Sequence, residues 1–187
     1  MYKPKGVKGK MRKARISFLV IGIIVLSGIG LIFNQAQPVK EYLRIHVRAN
    51  SNLEIDQNVK YLVKDKVVDF LTPYIAECKT KDQATAMLNA NLENLKAVCD
   101  NVLKEKGFNY FSKVNIKREE FPFRSYNGVD LEQGFYDALI IELGSGSGDN
   151  WWCVVYPPLC FVGQGDYIYR SKIKDVINDF FCKEKSV

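Results

Sequence analysis

Apolar and polar residues alternate early in the chain, just beyond a short linker that begins at Pro38. Within residues 41–47, Leu43, Ile45 and Val47 share one side, so the pattern predicts a strand with one apolar face. The opposite side carries Tyr42, Arg44, His46 and Arg48. It includes the only histidine of the sequence, and we interpret it as a source of charged contacts.

Apolar residues then recur at steps of three and four, which predicts a helix after the turn at 49–52. Ser51 and Glu54 fit the S-x-x-E capping box, so the helix is expected to start there. Thr72-Pro73 predicts its end, because proline disfavours helical geometry at the preceding residue. The apolar positions of this helix are Val59, Leu62, Val63, Val67, Phe70, Leu71 and Tyr74.

A second amphipathic helix follows, and Thr80 with Gln83 supplies a capping box at its start. Its apolar positions continue from Ala84 to Leu103, and Gly107 is expected to close it. Because the connection between the two helices is short, they are predicted to pack as an antiparallel hairpin.

Strands dominate the pattern after Gly107. Extended segments are predicted at 108–116, 135–143 and 151–156, with a break at 121–123 and a turn at 126–128. The Gly/Ser-rich stretch 144–148 joins the last two strands, so we expect a hairpin with a mobile tip. Ser171 is expected to cap a last helix, whose inward positions are Ile173, Val176, Ile177 and Phe180.

The element order β–α–α–β–β–β–α predicts an α+β fold in a single domain. We expect a mostly antiparallel sheet with an α-helical hairpin and a C-terminal helix.

A membrane or signal helix is predicted ahead of this domain. The segment 16–33 is uncharged and 18 residues long, the lower limit for a helix that spans a bilayer. Residues 1–36 hold seven basic and no acidic residues, which by the positive-inside rule keeps the N-terminus in the cytoplasm. The chain is thus divided into a basic tail with a signal or transmembrane segment, 1–36, and an extracytoplasmic domain, 37–187. An uncleaved anchor is favoured, because Asn34 poorly suits a cut after Ala36.

The positive net charge of the protein comes from its N-terminal residues. The 187 residues carry a formal net charge of +6. Seven of the 27 basic residues lie within 1–36, which leaves 20 basic against 21 acidic residues, a net charge of −1. Nucleic-acid binding requires a basic folded surface, so this function is excluded.

The Gly/Ser-rich stretch does not match the glycine-rich loops of enzymes. A phosphate cradle or a dinucleotide site opens a helix, whereas a strand is predicted after 144–148. A nucleophile elbow needs glycines two residues before and after its serine, and neither Ser145 nor Ser147 has both. Carboxylates show no paired motif. We therefore predict no catalytic residue, no cofactor and no small-molecule substrate.

Cysteines outside a membrane suggest disulfides. Cys78 can pair with Cys99 between the two helices, and Cys153 can pair with Cys160 across Pro157-Pro158. The alternative is that most of the five cysteines, which include Cys182, are small buried apolar residues. Zinc binding is not indicated, since the C-x-x-C spacing and further histidines are missing.

Two other functions remain open at this point. His46 with one cysteine fits the residue types of a secreted Cys–His cell-wall hydrolase, although no third orienting residue can be chosen. An anchored extracytoplasmic binding module is the other alternative.

The adjacent residues Trp151 and Trp152 follow the Gly/Ser-rich stretch. In a strand their rings lie on opposite sides, so one can enter the core while the other is exposed, covered or used as a binding anchor. Tryptophan is a frequent anchor because it removes much apolar area from water and keeps an N–H donor.

Several segments resemble stage II sporulation protein R of endospore-forming Firmicutes. The opening resemblance comprises Leu43 to Asn52, then Asp56-Gln57 and Lys64-Asp65. Later resemblances are Phe121-Pro122, Tyr126-Asn127-Gly128, Gly134 to Leu139, Gly148 to Cys153 and Pro157 to Phe161. They follow the same order over about residues 41–162.

This resemblance implies a signalling protein and no enzyme. Such proteins are exported from the forespore into the space between forespore and mother cell. There they trigger a membrane-embedded aspartic protease of the mother cell, which processes the inactive precursor of an early mother-cell sigma factor. The expected partner-binding residues are Arg44, His46, Arg48, Asn50, Asn150, Trp151, Trp152, Pro157 and Pro158.

Overall fold

The structure is a computed structural model and describes residues 42–126, 128–162, 165 and 167–184. The predicted basic tail and the apolar segment 16–33 lie outside the described residues. Within the described residues, no helix is both long and apolar enough to cross a membrane.

Four α-helices and six strands make up the part of the chain that is described. The strands are β1 (Leu43–Arg48), β2 (Ser112–Phe121), β3 (Arg124–Tyr126), β4 (Val129–Leu131), β5 (Gly134–Leu143) and β6 (Asn150–Tyr156). The helices are α1 (Glu54–Ile75), α2 (Lys81–Ala90), α3 (Leu92–Glu105) and α4 (Tyr167–Glu184), and a 3-10 turn spans Leu159–Phe161.

The main sheet has the strand order β2-β5-β1-β6. The pairs β2–β5 and β1–β6 are antiparallel, whereas β1 and β5 run parallel. The predicted α+β class and mostly antiparallel sheet are therefore confirmed. The predicted hairpin between β5 and β6 is wrong, because β1 lies between these two strands and the Gly/Ser-rich stretch crosses beyond its end.

The first helix differs from its prediction at both ends. It begins at Glu54 with no side-chain cap, because the Ser51 hydroxyl accepts from the Leu53 N–H and donates to Asp56 instead. It continues through Pro73 to Ile75. Proline leaves the carbonyl of Asp69 without a helical donor, and Asp69 is exposed, so water can bond it.

The second predicted helix is two helices, α2 and α3, separated at Asn91. The side-chain amide of Asn91 donates to the carbonyl of Met87, which substitutes for a helical bond at the break. The Thr80 cap is confirmed, since its hydroxyl accepts from the Gln83 N–H. Gly107 closes α3 with φ +79°, and the Phe108 N–H bonds the Leu103 carbonyl.

The last two differences concern β2 and α4. Strand β2 starts at Ser112 and extends to Phe121, since the Phe108 N–H still bonds the end of α3 and the Tyr110 hydroxyl bonds Asp56. Helix α4 begins at Tyr167, two residues after Gly165 with φ +72°, so Ser171 lies inside it. Its predicted inward residues do pack on the core: Ile173 is buried, and Val176, Ile177 and Phe180 are partly buried.

The core forms on the apolar side of β1. Leu43, Ile45 and Val47 are fully buried together with residues of β5, β6 and the helices. The opposite side of the sheet carries Arg44, His46 and Arg48, and we call it the polar face. The β3–β4 hairpin covers part of this face.

Candidate interaction site

Arg44 is fully buried on the polar face and fastens the β3–β4 hairpin to the sheet. Its Nη2 donates to the Tyr126 hydroxyl at 2.8 Å. The guanidinium carbon lies 4.4 Å from the ring centroid of Phe121 and 4.9 Å from that of Tyr136. These rings present their negative faces to the cation. Arg44 therefore holds the face together from inside and is not accessible to a partner.

His46 is buried beside Arg44 and stacks on Trp152. The two ring centroids are 3.6 Å apart at an interplanar angle of 20°, and Phe121 meets the imidazole edge-on at 6.0 Å. Burial, the main cause, lowers the pKa of His46 to about 4. The imidazole is therefore neutral at neutral pH, and such a weak base suits hydrolase chemistry poorly.

Arg48 ends this row and is only partly buried. It pairs with Glu142 at 2.7 Å and with Glu119, so its charge is satisfied within the sheet. Glu119 also reaches towards His46, with 3.6 Å between its Oε2 and Nδ1. Arg48 thereby joins β1 to the two strands on one side of it.

The two tryptophans lie on opposite faces of β6, as predicted, and each is partly buried. Trp152 covers His46 and meets Phe121 at 4.7 Å on the polar face. Trp151 packs against the main core, with the ammonium of Lys64 5.7 Å from its ring centroid. Trp151 is thus the ring that packs on the core, although neither ring is fully buried. Asn150, beside them, is exposed.

Pro157 and Pro158 are buried. The Tyr156–Pro157 peptide bond is cis, and Pro158 precedes the 3-10 turn Leu159–Phe161. These prolines shape the return of the chain after β6 and offer little surface to a partner.

Asn50 holds the Gly/Ser-rich stretch to the end of β1. Its side-chain oxygen accepts from the Ser145 N–H at 2.9 Å, and its carbonyl accepts from the hydroxyls of Ser145 and Ser147 at 2.6 and 2.8 Å. The Gly148 N–H bonds the Ala49 carbonyl at 2.9 Å. The stretch is therefore a docked crossover that sets where β6 begins.

A buried carboxylate, Asp56, organises the same region. It accepts from Asn50 at 2.9 Å, from the Ser51 hydroxyl and the Tyr110 hydroxyl, both at 2.5 Å. Burial alone would raise the pKa of Asp56, but these donors lower it on balance. Sequence patterns give no reason to choose Asp56 beyond the family resemblance, because its burial depends on the fold and one of its donors, Tyr110, is distant in sequence.

Lys60 also joins α1 to the start of β6. It is 1% exposed, and its ammonium donates to Gln57 at 2.6 Å and to the Asp149 carbonyl at 3.1 Å. Burial lowers its pKa. In sequence, Lys60 looks like one of many surface lysines of an amphipathic helix, which is why pattern reasoning missed it.

The five cysteines comprise one disulfide pair, two buried thiols and the exposed Cys182, so the alternative that most of them are small buried apolar residues is wrong. Cys153 and Cys160 form the disulfide, one of the two pairs considered. Cys78 and Cys99 are buried and not bonded to each other, so that pairing is wrong. Burial raises the pKa of both thiols, that of Cys99 to about 12. Within the described ranges, no group of three or more His, Cys, Asp or Glu residues is arranged to hold a metal ion.

Fold and site together define an α+β single-domain protein whose distinctive surface is an aromatic edge strand above a buried polar row. The chain belongs to the stage II sporulation protein R family, since residues 39–166 match the model described as Stage II sporulation protein R (spore_II_R). It is 31% identical over 147 residues to the Stage II sporulation protein R of Bacillus subtilis (strain 168). That alignment covers 76% of this chain and 66% of the relative. No solved structure matches the chain.

Family membership supports a role in sporulation. The resemblance carried by the segments of β1, α1, β5 and β6 is thereby confirmed.

Proposed function

We propose that the protein is an exported sporulation signal that activates a membrane-embedded aspartic protease of the mother cell. The protease then processes the inactive precursor of an early mother-cell sigma factor. The observation that carries this proposal is the family match over residues 39–166, a range that includes both β1 and β6.

Activation follows from unequal binding to two states of the protease. If the domain binds the outward-facing part better in the active, dimeric state, it shifts the population towards that state. Of the nine expected partner-binding residues, Asn150 is exposed, and Trp151, Trp152, Arg48 and Asn50 are partly buried. We propose that Asn150 and the two tryptophans contact the protease, together with Arg48, which is opposite Asn150 in the register. The others position them: Arg44 and His46 from below, Asn50 through the crossover, and Pro157 and Pro158 after β6.

The geometry gives the Cys–His hydrolase no support. His46 lies under Trp152, and the cysteine opposite its neighbour Ile45 in the β1–β6 register is Cys153, which is in the disulfide. A disulfide sulfur has no thiolate with which to attack a substrate. The buried thiols have raised pKa values, which disfavours the nucleophilic form.

The test is co-expression of the full chain, the protease and the sigma-factor precursor in a non-sporulating host, with precursor cleavage measured on a blot. Cleavage should depend on this protein and persist in His46→Ala and single-cysteine variants that fold. Trp152→Ala should reduce cleavage about tenfold or more, because central aromatic anchors dominate interface free energies. Trp152→Phe keeps a ring over His46 and is the matched control for folding.

Cleavage that does not depend on this protein would refute the proposal. An anchored binding module of another kind would then be the better description. Full cleavage by a normally folded Trp152→Ala variant would leave the proposal standing but remove Trp152 as an anchor.

A further inference from the structure

Strand β6 lies at one edge of the main sheet, and it pairs with β1 on one side. In the described part of the chain, no strand pairs with its other side. The direction of its backbone groups follows from two hydrogen bonds. The Ala49 N–H bonds the Asp149 carbonyl at 3.5 Å, and Arg48 is opposite Asn150 in the register. Because antiparallel ladders alternate, Asn150, Trp152 and Val154 point their N–H and C=O groups away from β1.

Only the first part of this edge is open. The Val154 N–H is already bonded, to Cys160 Sγ at 2.9 Å. The disulfide between Cys153 and Cys160 holds the 3-10 turn against β6 at that point. Before Asn150, the crossover is docked, with the Asp149 N–H bonded to Asn52 Oδ1 at 2.6 Å. The open edge is therefore Asn150–Trp152.

The two edges of the sheet have different chemistry. Strand β2, at the other edge, exposes Lys113, Lys117, Arg118 and Glu120. Charged side chains on an edge discourage the addition of another strand. Asn150–Trp152 carries no charge, and a large aromatic ring lies on each side of it. This combination of open backbone and flanking apolar surface suits a strand from another chain.

We propose that Asn150–Trp152 receives an extended segment of the protease's outward-facing part, which adds to the sheet as a short strand next to β6. The proposal rests on the proposed function and specifies how the partner is recognised. Hydrogen bonds to Asn150 and Trp152 hold the backbone of the segment. Its alternate side chains contact Trp151 on one face and Trp152 on the other.

Two substitutions at Asn150 separate the loss of its backbone N–H from the loss of its side-chain amide. Asn150→Pro and Asn150→Ala both lack the amide side chain, but only proline also lacks the N–H. That N–H points away from β1, so the β1–β6 ladder keeps its bonds in the proline variant. In the co-expression assay with the full chain, Asn150→Pro should give at least about tenfold less cleavage than Asn150→Ala.

Hydrogen exchange of the wild-type complex provides a second measurement that does not depend on whether the proline variant folds. Peptides that cover residues 149–153 should exchange more slowly when the full chain is bound to the protease in detergent. The β2 peptides 112–121 should not change.

The outcomes separate this inference from the proposed function. If wild-type cleavage occurs but Asn150→Pro equals Asn150→Ala, or exchange at 149–153 is unchanged by the protease, strand addition is refuted while the proposed function stands. If residues 149–153 are protected from exchange without the protease, and this protection increases with protein concentration, a second copy occupies the edge and the inference fails. If wild-type protein causes no cleavage, both proposals fail.

Discussion

His46 is buried as a neutral base, and this makes the stability of the protein depend on pH. Its pKa is about 4 in the folded protein, against an ordinary value of 6.5. As the pH falls through 6.5, the unfolded chain therefore binds a proton that the folded protein does not. The free energy of unfolding should decrease by about 2 kcal/mol between pH 7 and pH 5.

Urea denaturation of the full chain at pH 7 and pH 5, followed by tryptophan fluorescence, measures this decrease. The histidine is the only one in the sequence, so His46→Gln should remove most of the dependence in this range. An equal pH dependence in wild type and variant would show that other groups cause it.

The hydrogen bond between Tyr110 and Asp56 can be tested by removing the tyrosine hydroxyl. Burial, and then the Asp56 carboxylate that accepts its hydrogen bond, raise the pKa of the Tyr110 hydroxyl. Tyr110→Phe removes one donor from a buried carboxylate and should lower the free energy of unfolding by about 1–3 kcal/mol. Tyr61→Phe, at a half-exposed tyrosine of α1, should change it by less than about 0.5 kcal/mol. Similar values for both variants in urea denaturation would argue against the Asp56 cluster as a stabilising centre.

At the scale of elements, the crossover between β5 and β6 depends on close packing of its backbone. A Cβ atom on Gly148 would lie 2.3 Å from the carbonyl oxygen of Ser51. Gly148→Ala should therefore displace the crossover, speed hydrogen exchange over 145–149 and weaken precursor cleavage about tenfold or more, because β6 begins there.

Gly128→Ala is the control for the loss of glycine itself. A Cβ atom there meets nothing within 4 Å, although φ is +84°. Gly128→Ala should lower the free energy of unfolding by about 1 kcal/mol and leave hydrogen exchange at 145–149 unchanged. Unchanged exchange in Gly148→Ala would contradict the close packing described here.

Local patterns predicted the elements better than their arrangement. The alternation in β1, the Thr80 cap and the Gly107 end are each set by residues close in sequence, and all three are confirmed. The position of β1 between β5 and β6 is set by pairing with distant strands, so no local pattern predicts it. A single residue, Asn91, was enough to divide α2 from α3 without disturbing the apolar spacing.

In the candidate site too, local patterns predicted which residues share a face but not how deeply they are buried. The alternation of β1 correctly grouped Arg44, His46 and Arg48, and the order of β6 put its tryptophans on opposite faces. Pattern reasoning took the polar side of β1 as a contact surface, whereas rings from β2, β5 and β6 bury most of it. Burial of that kind depends on how strands align, which sequence spacing alone does not reveal.

At the scale of the whole molecule, the topology of the chain remains a prediction. The basic segment 1–36 predicts that residues 37–187 are outside the cytoplasm. A phosphatase that is active only after export, fused after Val187, should be active in a bacterial host. Replacing the basic residues before position 16 with Gln or Glu should lower that activity several-fold, and an equally active fusion would contradict the prediction.

The place of β1 in the sheet also determines when the chain can fold. Among the strands of the described residues, β1 leaves the ribosome first, yet its neighbours β5 and β6 begin only at Gly134 and Asn150. Pairings of such long sequence separation form late, since most of the intervening loop must be closed first. A growing chain therefore cannot form the β1–β5 pair before Leu143, or the β1–β6 pair before Tyr156, has been synthesised.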